Sequence, residues 1–332
     1  MTVDCPKHMV YGPCGGVRAD LTCELGDRRC VFVDEPLVRW AGPASTPDPD
    51  PVARPFVVTD LRVAPYDLAS IESVTRILAA ACDAVLVGEH PARPDFPPAM
   101  MATAVAAAGG AAWITLTCRD RNRVVLESEL QALAAIGRSG GVAGVHCVTG
   151  DARDRSVRPD ATQVFDLDSL ELTAMARALR LTVSVAATPA APPAALRPAR
   201  IVEKQRAGAS LCFVNHAGGP GPVASFVAAA RAAGATLRFV PCVAVFTDAE
   251  SLAVLERFPG LVLDPAERRR VMDSPDSRQE GVAAAVDQAE RMLAIDGVVG
   301  VNLSGSACGG AEAESAAIMA DVAAGIRASV GG

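Results

Sequence analysis

Residues 112–148 read AWITLTCRDRNRVVLESELQALAAIGRSGGVAGVHCV. The stretch opens on an apolar, β-branched run, Ala112–Thr117, and passes through a polar turn. It continues as an amphipathic segment over Val124–Gly137 and closes on a second β-branched run, Val142–Val148. Strands that are covered by helices on both faces read as near-continuous hydrophobic runs, so strand, helix and strand here form a βα unit of a parallel sheet.

The same rhythm extends in both directions. Further strands are expected at Phe56–Leu61, Ala84–Val87, Thr182–Ala186, Leu211–Val214, Leu237–Val245 and Val298–Leu303, with helices at Leu68–Ala81, Leu170–Leu179, Ala199–Ala207, Val223–Ala233, Gln279–Leu293 and Glu312–Arg327. Eight parallel strands with right-handed crossovers close most naturally into a (β/α)8 TIM barrel. An open doubly wound sheet is the alternative, weakened because no G-x-G-x-x-G follows the first strand.

Composition bounds the rest. Hydrophobic residues make up 50% of the 332 and aromatics 4%, so a large core is expected to be built from Ala, Val and Leu. A net charge of -7 argues against a phosphate-backbone partner, which needs clustered Lys and Arg. The N-terminus lacks the basic-then-apolar run of a signal peptide, and no stretch reaches the roughly 20 apolar residues of a membrane span. A cytoplasmic protein without membrane or nucleic-acid partners is therefore expected.

Four of the ten cysteines, Cys5, Cys14, Cys23 and Cys30, crowd the first thirty residues with Gly12, Gly15 and Gly16 beside the second. Four thiolates converging on one point suit a zinc ion or a [4Fe-4S] cluster, and a segment this short needs such a staple. The spacing separates neither metal from the other. Four unrelated thiols is the plainer alternative. Residues 1–40 are thus expected to be a cysteine-rich metal-binding module, 41–54 (AGPASTPDPDPVAR) a linker, and 55–332 the barrel. Cys82, Cys118, Cys147, Cys212 and Cys242 read as small buried hydrophobes. Cys308, in SGSACGG after the last strand, is kept as a candidate ligand or nucleophile.

In such a barrel the chemistry sits where strands end. The polar residues there are Asp60, Glu89, Thr117, Asp120, Asp151, Thr188, Asn215 and Asn302. Any single one of them is about equally well read as a helix cap or turn residue.

The run Leu116–Asn122 (LTCRDRN), supported by Thr149–Asp151 (TGD), Pro159–Ser169 (PDATQVFDLDS) and Lys204–Ala209 (KQRAGA), resembles methylenetetrahydrofolate reductases. The segment Cys5–Cys30 resembles the cysteine-rich domain fused to, or encoded beside, the bacterial enzymes. The resemblance implies a cytoplasmic flavoprotein oxidoreductase of one-carbon metabolism, with FAD or FMN on the barrel's C-terminal face and a tetrahydrofolate derivative as substrate. It implies Asp60 as the catalytic acid, where the family carries Glu, and folate contacts from Asp151 and Asn215. It further implies cofactor contacts from Thr115, Thr117, Gly150, Asp151, Thr188 and Lys204.

The sequence also departs from that family: Thr115 replaces a His, Val214 and Asn215 replace a Thr-Gln pair, and Ala187–Pro193 (ATPAAPP) carries no ring to pack a flavin. Three readings follow. One is a divergent reductase-like oxidoreductase, fed by NAD(P)H or through the cysteine module. The second is a methyl or methylene transferase or demethylase without net hydride transfer. The third is a non-catalytic folate-binding subunit whose cysteine module docks on an electron-donor or methyl-transfer protein.

Overall fold

The computed structural model describes residues 4–35, 37–90, 95–152, 159–258 and 262–330; the remaining residues of the expected module and barrel lie outside the description. Eight parallel strands close in sequence order into a barrel. They are β1 (Phe56–Asp60), β2 (Ala84–Val87), β3 (Ala112–Thr117), β4 (Val142–Val148), β5 (Val183–Ala187), β6 (Leu211–Val214), β7 (Arg238–Phe246) and β8 (Gly300–Ala307). Closure is made by β1 against β8, with Phe56 opposite Gly300 and Thr59 opposite Leu303. The (β/α)8 class read from the sequence is the observed one.

Helices return the chain between strands: α1 (Leu68–Ala79), α2 (Pro98–Ala107), α3 (Arg123–Gly137), α4 (Ser169–Ala178), α5 (Arg197–Ala207) and α6 (Pro220–Ala232). After β7 come α7 (Ala249–Leu255), α8 (Pro265–Met272) and α9 (Ser277–Leu293), and α10 (Glu312–Val330) follows β8. Local chemistry fixes the helix starts. Asp67 accepts from the N–H groups of Ala69 and Ser70, and Asn122 from that of Val125. Asp168 and Glu171 form a reciprocal capping box at α4. No described helix is long and apolar enough to cross a membrane.

Three helices escape the sequence pattern for physical reasons. α2 (PAMMATAVAA) is apolar nearly all round, so it shows no stripe of 3.6-residue period. α7 and α8 are only 7 and 8 residues long, too short to display one. β8 begins at Gly300 and runs past the expected end, while Val298 meets the sheet only as an isolated bridge to Phe239.

Between sheet and helices the core is Val, Leu, Ile and Ala, as the composition implies. The barrel interior is different, because its floor is plugged by rings. Trp113 is fully buried, stacks on Phe213 with centroids 5.7 Å apart, and meets Phe56 at 5.3 Å. Its indole N–H donates to Ser184 Oγ at 2.8 Å, so a buried polar group is satisfied. Gly144 makes room, since a Cβ there would lie 2.5 Å from the indole.

The N-terminal segment packs on the barrel face where strands end. It carries two isolated antiparallel bridges, Val17 with Cys23 and Thr22 with Arg29, and buries Lys7, Met9, Val17 and Phe32. Asp168 anchors it: one carboxylate oxygen accepts the N–H groups of Val10 and Tyr11 at 2.9 and 3.1 Å, the other meets Arg200 at 3.2 Å. Arg197 donates to the carbonyls of Pro13 and Cys14 at 3.2 and 2.9 Å.

Residues 41–54 then run along the barrel wall. Ser45 N–H donates to the Arg206 carbonyl at 2.8 Å, Asp48 N–H to Ser210 Oγ at 3.0 Å, and Arg238 to the Pro49 carbonyl at 2.9 Å. These bonds lead the chain from the end of α5 to the N-terminal ends of β6 and β7, the side on which β1 begins.

Candidate functional site

A cavity of about 570 Å³ opens at the C-terminal ends of the strands. All the strand-end polar residues singled out in the sequence line it except Thr117. That volume lies within the range of small-molecule sites.

Asp60, the last residue of β1, sits on the cavity floor. Asn302 Nδ2 donates to Oδ1 at 3.1 Å, and Ser304 Oγ and Gly305 N–H donate to Oδ2 at 2.9 and 3.3 Å. Burial pushes the carboxyl above the usual range, and the three donors pull it partly back. A carboxyl so placed is held in one orientation and is easier to protonate than a surface one. Gly305 has φ of +121°, and a Cβ there would lie 3.0 Å from both Leu255 and the Val245 carbonyl, so a side chain is not tolerated beside Asp60.

Asp151 lies on the β4 side, open to the cavity yet crowded by protein. Crowding raises its carboxyl and Glu24 adds to the rise, while Lys7 and Arg119 oppose it. The N-terminal segment therefore contributes directly here. Lys7 forms an ion pair with Glu24, its Nζ donates to the Gly150 carbonyl at 2.6 Å, and Glu24 in turn accepts the Ala152 N–H at 2.7 Å. Arg119 donates to the Asp151 carbonyl at 2.9 Å. Gly15 of the same segment forms part of the cavity wall beside Thr188.

Asn215, at the end of β6, donates from Nδ2 to Thr188 Oγ1 at 3.2 Å, which joins two of the expected contacts. Thr115 also lines the cavity. Thr117, Gly150 and Lys204 do not. Thr117 donates to Glu89, and Gly150 receives Lys7. Lys204, on α5, donates to the Ala186 carbonyl and is pushed down to about 8 by burial. Cys308 is buried and off the cavity; its carbonyl accepts from Arg62 at 3.0 Å.

Sequence reasoning passed over Arg119 and Arg121, although both lie in the quoted LTCRDRN run, and over His216 beside Asn215. All three line the cavity. His216 is pushed down to about 4 by burial, so it is neutral at physiological pH. Three buried polar atoms of lining residues have no partner among the described residues: Glu89 Oε1, Asn302 Oδ1 and His216 Nε2. Buried polar atoms are nearly always bonded, so such atoms mark where a ligand or water completes the structure.

That set bears on the flavin implied by the resemblance. Two of the three orphans are acceptors only and call for ligand donors. The polar edge of an oxidised isoalloxazine is mostly acceptors with a single N–H, whereas a reduced pterin offers an amino group and several N–H groups. The two acceptors are better matched by the donors of a reduced pterin than by the edge of an oxidised flavin.

The four N-terminal thiols are neighbours. Burial raises Cys5 and Cys30, with Cys23 adding to both, and pushes Cys14 up to about 11. Yet among the described residues no three His, Cys, Asp or Glu are arranged to hold a metal ion.

Fold and site together define a (β/α)8 barrel with an acid-bearing ligand cavity at the strand C-termini. No protein-family model and no curated protein matches the chain. Among solved structures the barrel is similar to an uncharacterized protein from Clostridium thermocellum that binds two copies of 5-methyl-5,6,7,8-tetrahydrofolic acid. The likeness covers 81% of this chain and 95% of that one at 9% identity, with a TM-score of 0.53. At that identity the likeness speaks for the fold alone.

Proposed function

We propose that this protein binds a reduced folate in the barrel mouth and acts on its one-carbon unit, with Asp60 as the acid. The observation that carries this reading is the Asp60 carboxyl, raised by burial and fixed by three donors on the floor of a cavity whose unpartnered atoms call for ligand N–H groups. The folate ligand of the Clostridium thermocellum barrel supports the same ligand class.

Opening the imidazolidine ring of a methylenetetrahydrofolate requires protonation at N10, and a carboxyl raised by burial is better suited to supply that proton than an ordinary one. Asp151 and Asn215 are assigned to the folate. Thr115 and Thr188 keep their proposed place around the cofactor or substrate directly, and Thr117, Gly150 and Lys204 through the walls they support. The first reading is a divergent oxidoreductase of the methylenetetrahydrofolate reductase type. Transfer of a methyl or methylene group without net hydride transfer is the second, favoured by the acceptor-rich cavity that suits a pterin better than a flavin.

Cys5, Cys14, Cys23 and Cys30 are proposed as ligands that draw together on a metal, with docking to an electron-donor or methyl-transfer protein as the module's use. Incubation with 5,10-methylenetetrahydrofolate tests the reading of the barrel. Formation of 5-methyltetrahydrofolate with a reductant supports the oxidoreductase, loss of the one-carbon unit to an acceptor supports the transferase, and an unaltered folate under both conditions contradicts a catalytic role.

A further inference from the structure

Glu89 follows β2 and stands four strands around the ring from Asn215 and His216 after β6, directly across the mouth. Its two carboxylate oxygens live in different surroundings. Oε2 accepts the Thr117 hydroxyl at 2.5 Å and Arg121 Nη1 at 2.8 Å, while Oε1 is buried and has no partner among the described residues. The side chain is 16% exposed and that of Arg121 19%, so neither is freely solvated. Arg121 spends only Nη1 on Glu89 and Thr117. Both residues line the cavity, so an unpartnered acceptor and a guanidinium stand side by side in its wall. An ion pair built only for stability has no reason to keep one buried carboxylate oxygen bare, since an unsatisfied buried acceptor is costly.

We infer that Glu89 and Arg121 form a binding pair for the cyclic-amide edge of the ligand's heterocycle. Glu89 Oε1 takes a ring N–H, and Arg121 donates to the adjacent carbonyl. This rests on the folate reading, in which the edge is N3–H with the C4 carbonyl of the pterin. It sets the pterin on the β2–β3 side of the mouth and leaves its reduced ring and N10 to lie toward Asp60. Arg cannot accept a hydrogen bond, so in Glu89→Gln the amide oxygen stays with Arg121 and the NH2 turns to the cavity. A ligand N–H then meets a donor.

The test is a calorimetric cycle with wild type and Glu89→Gln against tetrahydrofolate and its N3-methyl derivative, with melting temperature as the folding control. Wild type is expected to lose about 10- to 100-fold in affinity on N3-methylation. Glu89→Gln should bind tetrahydrofolate that much more weakly and discriminate little between the two ligands. Equal discrimination by both proteins, or none by wild type, overturns this assignment while leaving the folate reading intact. Binding of neither ligand by wild type overturns both. Should the Gln variant not fold, Glu89→Asp serves instead, because it keeps both oxygens but withdraws them from the cavity; discrimination equal to wild type's would again contradict the assignment.

Discussion

Asn302 Nδ2 donates to Asp60 Oδ1 at 3.1 Å across the β1–β8 seam, while Asn302 Oδ1 is buried without a partner among the described residues. One amide therefore orients the acid and offers an acceptor to whatever occupies the cavity.

From this geometry Asp60→Asn is expected to lower the rate of one-carbon chemistry by about 10²–10⁴ while changing folate affinity little, as for the loss of a positioned acid. Because burial raises this carboxyl, the protonated form persists above the ordinary carboxylate range. Activity should then fall as pH rises through that raised value, and the falling limb should vanish in Asp60→Asn. A pH–rate profile of kcat/KM checks both.

Asn215→Ala should weaken tetrahydrofolate binding by about 1–3 kcal/mol, the cost of leaving a buried polar group of the folate unpaired. Calorimetric affinities of the two proteins decide it; equal values would move the folate contact away from β6.

Lys7→Met removes a fully buried cation from its pair with Glu24 and from the Gly150 carbonyl. Breaking such a pair leaves an uncompensated carboxylate and costs about 3–5 kcal/mol. Denaturant unfolding should show that loss. Folate binding should weaken with it, because the lost contacts hold the loop that carries Asp151.

Gly144→Ala drives a methyl group into the Trp113 indole. Overpacking of this kind costs about 1–3 kcal/mol, and a lowered melting temperature with an altered Trp113 fluorescence would report it.

Metal analysis of protein prepared without air addresses the module. Iron or zinc bound in proportion to protein, and lost when Cys14 and Cys23 are replaced by Ser, is the expected result; protein free of both metals would leave the four thiols as simple half-buried cysteines.

The barrel was legible because eight β-branched runs alternate with amphipathic stretches, and strand ends such as Ala112–Thr117 and Val142–Val148 coincide with the observed ones. What was not legible depends on contacts between distant segments. Nothing local marks Lys7 and Glu24 as the pair that reaches Gly150 and Ala152, since the bonds join positions more than 120 residues apart. The aromatic floor around Trp113 was hidden for the same reason: scattered rings meet only when the barrel closes. At the site, Asp60, Asp151, Thr188 and Asn215 were found by their position at strand ends. Arg121 was missed because its role depends on Glu89 from the neighbouring strand.

The central claim is that the mouth of this barrel holds a reduced folate, and calorimetric titration of the purified protein with tetrahydrofolate and 5-methyltetrahydrofolate tests it most directly. The account predicts saturable binding that Asn215→Ala weakens and Asp60→Asn largely preserves. Absence of any binding heat or competition at millimolar folate would contradict it.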